Sequence, residues 1–190
     1  MRQLLEYLIK ENNAPREYAS TQIDVPKEIA EEILALSLSI PDEEIYDDES
    51  GKFGRELDAH ITIKYGLETE DPNDVESLIE DGSKPISVRF GKISIFDGSE
   101  EDKPYDVVKV SVESKELEEL HKRLSELPNG DEHDEYKPHM TIAYVKRGKG
   151  EKYDGIADLE GKEFTANSFI FKGKDRSDKE IFLNERILNK

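Results

Sequence analysis

The chain lacks cysteine and tryptophan among its 190 residues, and no apolar run is long enough to cross a membrane. The absence of cysteine excludes disulfides, thiolate metal ligands and cysteine nucleophiles. The amino-terminal sequence MRQLLEYLIKENN alternates charged residues with leucine, whereas a signal peptide needs a continuous apolar segment. We therefore expect a cytoplasmic protein without a membrane partner.

Positive charge is scarce as well, because 27 lysines and arginines stand against 45 acidic residues, for a formal net charge of −18. Affinity for a long nucleic acid depends on many cationic contacts to phosphates, so such a partner is not expected. A small phosphate ligand in a locally positive pocket is compatible with this charge, and the acidity can equally serve solubility alone. The apolar residues are patterned rather than scattered, which predicts one folded domain over residues 1–190. Two small lobes that share a core also fit this length.

Only four histidines and five threonines are present, yet one phrase that contains both occurs twice. The segment HITIKY at residues 60–65 returns as HMTIAY at residues 139–144. Both copies lie in runs that alternate between apolar and polar residues, which is typical of strands. The repeat predicts two lobes related by pseudo-symmetry, each with one His-x-Thr strand.

Alternating side chains predict strands elsewhere, and apolar residues at helical spacing predict helices. The predicted strands cover residues 18–25, 57–65, 85–96, 104–113, 138–145, 164–172 and 179–185. The predicted helices cover residues 3–11, a segment from Pro26 with an apolar stripe that ends at Leu38, residues 71–80, and a segment from the N-cap Ser114 with Leu117, Leu120, Leu124 and Leu127 on one side. Long loops are predicted at residues 40–56 and 146–155. Strands outnumber helices and are partly consecutive, which favours an α+β fold with largely antiparallel sheets.

The repeated residues suit acid–base chemistry at a phosphate. A histidine and a threonine two positions apart on a strand point to the same side, roughly 7 Å from each other. One neutral imidazole can take a proton from an attacking oxygen while a charged one gives a proton to the leaving oxygen. The hydroxyls of Thr62 and Thr141 can bind the non-bridging oxygens. This scheme needs no metal and no cofactor.

Two alternatives remain for the histidines. Either motif alone is more often a structural strand residue, and a bis-histidine metal site is conceivable, although neither repeat has a carboxylate on the histidine face. His121, beside a leucine stripe, and His133, in an acidic loop, are expected to be solvated. Strand alternation places Tyr65 and Tyr144 opposite the histidines, which predicts core positions.

Further candidates for substrate binding come from strand faces and from one basic cluster. Tyr18 and Gln22 lie on the polar face of the first strand, and Lys64 shares the predicted face of His60 and Thr62. Lys146 and Arg147 follow the second motif and, with Lys149 and Lys152, form the one basic cluster in the sequence. Each of these has a simpler interpretation as a solvated surface residue.

The two motifs resemble those of the 2H phosphoesterases, which carry two His-x-Thr strands flanked by apolar residues. The stretch YASTQIDVP at residues 18–26, ahead of a long loop and HITIKYGL, is similar to a bacterial and phage branch of that family, which includes RNA 2′-5′ ligase and cyclic phosphodiesterase-like proteins. The resemblance implies that His60 and His139 are catalytic and that Thr62 and Thr141 bind phosphate. It also implies a bilobal fold, in which two pseudo-symmetric antiparallel sheets form a concave cleft with helices outside.

The resemblance implies a hydrolase that cleaves a ribonucleotide phosphodiester without a metal. The substrate would be a 2′,3′-cyclic phosphate or a small cyclic or linear oligonucleotide, and one branch of the family degrades cyclic-nucleotide immune messengers. A non-catalytic module that binds or sequesters a nucleotide is the alternative. Several relatives stack bases on aromatic side chains, and the chain departs from them in having no tryptophan.

Overall fold

The computed structural model describes residues 16–48, 52–79, 83–99, 102–131 and 135–183. The predicted helix over residues 3–11 and His133 lie outside the described residues. Within these ranges the strands are β1 (Ala19–Asp24), β2 (His60–Leu67), β3 (Ile86–Phe96), β4 (Tyr105–Glu113), β5 (His139–Lys146), β6 (Glu163–Ala166), β7 (Ser168–Lys172) and β8 (Asp178–Phe182). The α-helices are α1 (Lys27–Ser39), α2 (Pro72–Ile79) and α3 (Lys115–Leu124), and short 3-10 turns lie at Asp42–Glu44 and Glu151–Tyr153.

The described strands form two antiparallel sheets of four strands each. The first sheet has the order β2-β1-β7-β8 and the second has the order β5-β4-β3-β6. The first sheet therefore combines strands from the two ends of the described chain, and the second sheet comes from its middle. This confirms the predicted α+β fold of two antiparallel sheets, each with one of the repeated strands.

Both repeated strands lie at an edge of their sheet, where β2 and β5 contact each other. Helix α1 follows β1 of the first sheet but packs against β5 of the second. Helix α3 follows β4 of the second sheet but packs against β2 of the first. Each half of the molecule, meaning one sheet with the helix that follows one of its strands, thus supports the motif strand of the other half. This contact holds the two motifs side by side.

The apolar core determines which way the motif residues point. Ile61 and Ile63 of β2, and Met140 and Ile142 of β5, are at most 1% exposed and belong to one core cluster. Burial of such a side chain contributes about 1.5–3 kcal/mol. Because Ile61 and Met140 each lie between the histidine and threonine of a motif, their burial forces those polar side chains to the opposite face.

The helices follow their predicted patterns with one exception. Ser114 caps α3 by accepting a hydrogen bond from the Leu117 amide at 3.2 Å, as predicted. On α1, Ile33 is buried but Leu38 is exposed, and Ser37 occupies the buried position instead. The Ser37 hydroxyl donates to the backbone carbonyl of a β5 residue, so the buried row of α1 ends in a polar contact. None of the described helices is long and apolar enough to cross a membrane.

Two predicted strands have different limits in the structure. The predicted strand over residues 164–172 is divided at Asn167, since β6 joins the second sheet and β7 joins the first. The Asn167 carbonyl accepts a hydrogen bond from the Leu183 amide at 2.8 Å, which fixes this crossing between sheets. The core-facing positions change phase at this point, from Phe164 and Ala166 to Phe169 and Phe171, and the prediction of one continuous strand overlooked this change. Strand β2 begins at His60 rather than at Leu57.

Candidate active site

Both motif strands carry a β-bulge at the same position of the repeat. In each motif strand, one extra residue is inserted between two residues whose partners are consecutive on the neighbouring strand. On β2 the extra residue is Ile63, directly after Thr62. On β5 it is Ile142, directly after Thr141. The two halves therefore share a backbone irregularity as well as a motif.

The bulge reverses the expected positions of the two repeated tyrosines. Tyr144 pairs with Val107, and Val107 lies two residues from Lys109, the partner of Thr141. Positions two apart on a strand share a face, so Tyr144 lies on the face of Thr141. Tyr65 is 51% exposed rather than buried. The predicted core positions of these tyrosines are wrong, because simple alternation ignores the extra residue.

The same bulge moves Lys64 to the core side of β2. Lys64 pairs with the fully buried Thr21 and is only 5% exposed. Its ammonium Nζ lies 2.9 Å from Asp131 Oδ2, and the two side chains are 6% and 9% exposed. The predicted shared face of Lys64 and His60 is therefore wrong. Substrate binding by Lys64 stays a prediction. The positive charge of Lys64 is already balanced by the Asp131 carboxylate.

The two motif histidines make the same local contact. The Nδ1 atom of His60 lies 2.6 Å from the carbonyl oxygen of Asp58, and Nδ1 of His139 lies 2.7 Å from the carbonyl oxygen of Lys137. A carbonyl oxygen only accepts, so we assign the Nδ1 proton to this bond in both rings. Each ring is half-buried and keeps Nε2 as the atom that can exchange a proton with a substrate.

Next to the first motif, the structure places two of the predicted substrate-binding residues. Gln22 pairs with Thr62 across the sheet, is buried, and donates from Nε2 to Asp24 Oδ1 at 2.8 Å. The ring of Tyr18 meets the ring of Tyr65 edge-on, with their centroids 5.9 Å apart. Gln22 and Tyr18 therefore border the face of the first motif, and their contact with a substrate stays a prediction.

Next to the second motif lies a buried cation that sequence reasoning missed. Lys109 pairs with Thr141 and is 7% exposed. Its ammonium donates to the Ser94 hydroxyl at 2.8 Å and lies 4.2 Å from the centre of the Phe96 ring. The Phe96 ring in turn meets the His139 ring edge-on at 5.0 Å. The alternation of β4, in which valines 108, 110 and 112 are buried, was the signal that could have placed Lys109 on the motif face.

A group of four aromatic rings lies beyond Thr141 on the same side. Tyr46 and Phe53 come from the long loop before β2, and they contact Tyr105 of β4 and Tyr144 of β5. Neighbouring ring centroids are 4.8–5.4 Å apart. Burial raises the pKa of Tyr144 to about 12, so its hydroxyl stays protonated at neutral pH. The sequence predicted a long loop at residues 40–56, but the ring cluster depends on tertiary contacts.

The outer edge of β2 is covered by two stacked rings. The Tyr136 hydroxyl donates to the Thr62 carbonyl at 2.8 Å, and His121 Nδ1 contacts the Ile63 carbonyl at 2.7 Å. The two rings lie parallel with centroids 4.0 Å apart. Burial lowers the pKa of His121, which favours the neutral ring. The prediction that His121 is solvated is wrong, because tertiary packing places it against the bulge of β2.

The outer edge of β5 is covered by the loop that precedes β2. The Tyr144 amide donates to the Gly54 carbonyl at 2.7 Å, and the Glu56 amide donates to the Ile142 carbonyl at 3.0 Å. Tyr136 and Asp131, which contact β2, lie in the segment that precedes β5. Each motif strand is thus bound by the segment that leads into the other motif strand. This reciprocal arrangement couples the positions of the two histidines.

The predicted basic cluster is largely engaged with nearby groups. Arg147 pairs with Asp102 at 3.0 Å, and Lys152 pairs with Glu44 at 2.6 Å. Lys146 donates to a backbone carbonyl of the acidic loop at 2.7 Å. These contacts lower the local positive potential, and substrate binding by Lys146 and Arg147 stays a prediction. No group of three or more potential metal ligands occurs in the part of the chain that the structure describes.

A known protein family matches most of the chain. Residues 25–169 match the family model described as the 2′-5′ RNA ligase superfamily. No curated protein matches the chain at a significant level.

Solved structures share the fold at low sequence identity. TT0787 of Thermus thermophilus has a TM-score of 0.53 at 14% identity, with 88% of this chain and 96% of that chain covered. LigT of E. coli, complexed with phosphate, has a TM-score of 0.54 at 14% identity, with 90% and 96% covered. Usb1 of Kluyveromyces marxianus has a TM-score of 0.53 at 9% identity, with 87% and 97% covered. The two-sheet architecture is therefore that of these proteins.

Proposed function

We propose that this chain, which belongs to the 2′-5′ RNA ligase superfamily, is a phosphodiesterase that cleaves a ribonucleotide phosphodiester by two-histidine acid–base catalysis. The family match confirms the resemblance indicated by the two His-x-Thr motifs. One observation carries the proposal: adjacent strands present the same histidine, threonine, bulge and Nδ1 contact. A single structural histidine would not require this repetition in both sheets.

The proposed mechanism uses the two Nε2 atoms. One neutral imidazole accepts the proton of the attacking oxygen, which is water or a ribose hydroxyl, as the new P–O bond forms. The other imidazole, protonated, donates to the leaving oxygen as the old P–O bond breaks. Thr62 and Thr141 donate hydrogen bonds to the non-bridging oxygens, where negative charge increases in the transition state. The Nδ1 bonds to backbone carbonyls keep both rings oriented for this exchange.

The proposed substrate is a small nucleotide. Among the structural neighbours, E. coli LigT is complexed with phosphate in one structure and with 3′-AMP in another, and Usb1 is complexed with uridine monophosphate. The net charge of −18 disfavours a long polyanion. We therefore propose a 2′,3′-cyclic phosphate or a small cyclic or linear oligonucleotide. A phage-type enzyme that degrades cyclic-nucleotide messengers is a narrower form of this proposal.

Aromatic rings near both motifs favour a nucleotide over a bare phosphate. Tyr18 and Tyr65 lie beside the first motif, and the four-ring cluster that includes Tyr144 lies beside the second. A nucleobase can stack on such rings with little sequence preference. These rings offer the base contacts that the missing tryptophan had put in doubt.

Replacing Tyr65 by leucine tests base contact. We expect KM for a nucleotide substrate to rise by at least about fivefold, since stacking on one ring is worth ~1–3 kcal/mol. The inhibition constant of inorganic phosphate should not change, because phosphate has no base. Phe182→Leu is the matched control, since Phe182 is also an exposed ring of the first sheet but lies on β8. Equal effects of the two substitutions on KM would argue against a base contact at Tyr65.

Chelation tests the metal-free mechanism. Asp24 of β1 pairs with His60, but no group of three or more potential metal ligands occurs among the described residues, so we expect turnover to be unchanged after dialysis against EDTA. Initial rates before and after dialysis, and after addition of Mg²⁺, Mn²⁺ or Zn²⁺, provide the measurement. A loss of activity that one of these ions restores would contradict the proposal.

Turnover of a substrate panel tests the function itself. The panel comprises 2′,3′-cyclic mononucleotides, linear dinucleotides with 2′-5′ or 3′-5′ linkages, and cyclic oligonucleotides. Product formation that needs both histidines supports the enzyme. Tight binding of a panel member without turnover would instead support the alternative, a module that sequesters a nucleotide.

A further inference from the structure

The two halves of the molecule each bury one lysine, and the two lysines differ in their partners. Lys64 on β2 is 5% exposed and pairs with Asp131 at 2.9 Å. Lys109 on β4 is 7% exposed, and no carboxylate lies within ion-pair distance of it in the described residues. Its ammonium contacts a neutral hydroxyl, that of Ser94, and the face of the Phe96 ring. Burial of an unpaired charge destabilises a fold, so the position of Lys109 calls for a functional reason.

The surroundings of Lys109 are electrostatically unusual for this acidic chain. Burial lowers the pKa of Lys109, and the nearby positive charge of Lys137 lowers it further. Asp154 opposes this effect but lies beyond ion-pair distance. Lys137 itself is exposed and pairs with Glu135 at 3.2 Å. Among the residues that the structure describes, the site around Lys109 therefore lacks a close anion, although the whole chain has an excess of 18 negative charges.

The missing anion would lie next to the second motif. Lys109 pairs directly with Thr141, and cross-strand partners have Cβ atoms roughly 4.5–5.5 Å apart. The Phe96 ring contacts both the Lys109 ammonium and the His139 ring. An oxygen atom bound by the Thr141 hydroxyl would therefore be close to the ammonium as well.

The equivalent position in the other half carries no charge. Gln22 pairs with Thr62 as Lys109 pairs with Thr141, directly before the same bulge. The two halves thus agree in histidine, threonine and bulge, but they differ in this residue. One cation next to two hydroxyl donors suits a phosphodiester, which has a single negative charge shared by two non-bridging oxygens.

We propose that Lys109 binds a non-bridging oxygen of the substrate phosphate beside Thr141 and stabilises the charge that increases there in the transition state. This inference rests on the proposed function and adds a residue to its site. A compact ammonium suits contact with one oxygen, whereas the planar guanidinium of arginine would need more space. Lys109 would then be a catalytic residue, and the substrate would supply its counter-charge.

Replacing Lys109 by methionine keeps most of its volume and removes the charge. We expect kcat/KM for the best panel substrate to fall by roughly 10–100-fold, the range for loss of one hydrogen bond to a charged group. Lys92→Gln is the matched control, because it removes an exposed lysine charge on β3 of the same sheet and should change kcat/KM less than about threefold by loss of steering alone. Lys109→Arg is expected to recover little activity, since the guanidinium does not fit the buried position.

Stability separates this function from a structural one. At a pH below the lowered pKa of Lys109, its buried ammonium is charged and the free energy of unfolding is reduced by the full cost of burying that charge. This cost disappears as the pH rises toward about 10.4, the ordinary pKa of lysine. The midpoint of urea unfolding for Lys109→Met should therefore equal or exceed the wild-type midpoint at neutral pH, with the difference shrinking toward pH 10. Lys64→Met should lower the midpoint, because it leaves Asp131 buried without its cation. A lower midpoint for Lys109→Met at neutral pH would indicate a structural residue and would overturn the proposal.

Inorganic phosphate provides a test that does not depend on turnover. A ligand that binds the native state raises its melting temperature. Phosphate should raise the melting temperature of the wild type and of Lys92→Gln, and its effect should be lost in Lys109→Met. If the wild type cleaves the panel and Lys109→Met does so equally well, the inference on Lys109 fails while the proposed function stands. If no panel member is cleaved but phosphate stabilises only proteins that keep Lys109, the proposed function fails while the anion site stands.

Discussion

Replacing either His60 or His139 by alanine is expected to lower kcat by at least ~10²-fold, the usual scale for loss of a general acid or base. The two rings share the same Nδ1 contact to a backbone carbonyl, so Nε2 is the nitrogen that we assign to proton transfer in both rings. The alanine variants remove this atom without changing the apolar side of either strand. Steady-state turnover of the best panel substrate provides the measurement.

The double replacement gives the sharper result. Two groups that act in one proton relay are non-additive, so the double variant should be little worse than the worse single variant. His60→Gln and His139→Gln serve as shape controls, because an amide can keep a hydrogen bond but does not exchange a proton near neutral pH. Unchanged melting temperatures would show that the fold is intact. Near-normal turnover in either single variant would remove that histidine from the mechanism.

Replacing Asp131 by alanine is expected to lower the free energy of unfolding by about 3–5 kcal/mol, the range for breaking a buried ion pair at one partner. The side chains of Lys64 and Asp131 are 6% and 9% exposed, so the remaining ammonium would have neither a carboxylate nor ready access to water. Urea unfolding at neutral pH provides the measurement. The substitution should also reduce activity, since Asp131 joins the segment before β5 to strand β2.

Two comparisons make the stability result specific. Lys64→Met combined with Asp131→Ala should be more stable than Asp131→Ala alone, because the double variant leaves no uncompensated charge. Asp102→Ala breaks the exposed pair with Arg147 and should change the free energy of unfolding by less than about 1 kcal/mol. A loss below about 1 kcal/mol in Asp131→Ala would mean that water reaches Lys64 and that the pair does not hold the two segments together.

The two repeated motifs and the local pattern of the sequence were sufficient to predict the family and much of the fold. The motif histidines and threonines could be assigned to one face because Ile61 and Met140 alternate with them over only three positions. The Ser114 cap could be predicted for the same reason, since a cap depends on residues within one helical turn. The largely antiparallel α+β class followed from the excess of strands over helices, whereas the division into two sheets was implied by the family resemblance.

The sheet face occupied by the residues that follow Thr62 and Thr141 could not be predicted from this pattern. The bulges at Ile63 and Ile142 exist only in relation to a paired strand, and in β2 the apolar residues Ile61, Ile63 and Tyr65 keep simple alternation through the bulge. Tyr65 and Tyr144 were therefore placed on the wrong side. The division of residues 164–172 between two sheets was missed for a different reason, because the change in phase of its core-facing positions was overlooked.

The amino-acid sequence by itself determined which residues can carry acid–base chemistry, since residue type and two-residue spacing bring His60 to Thr62 and His139 to Thr141 on any strand. The tertiary structure alone decided how the two buried lysines differ. Lys64 contacts a carboxylate 67 positions away in the chain, whereas Lys109 contacts a neutral hydroxyl 15 positions away and the Phe96 ring. The physical reason is that charge compensation depends on distance in space and on exclusion of water, which separation along the chain does not specify.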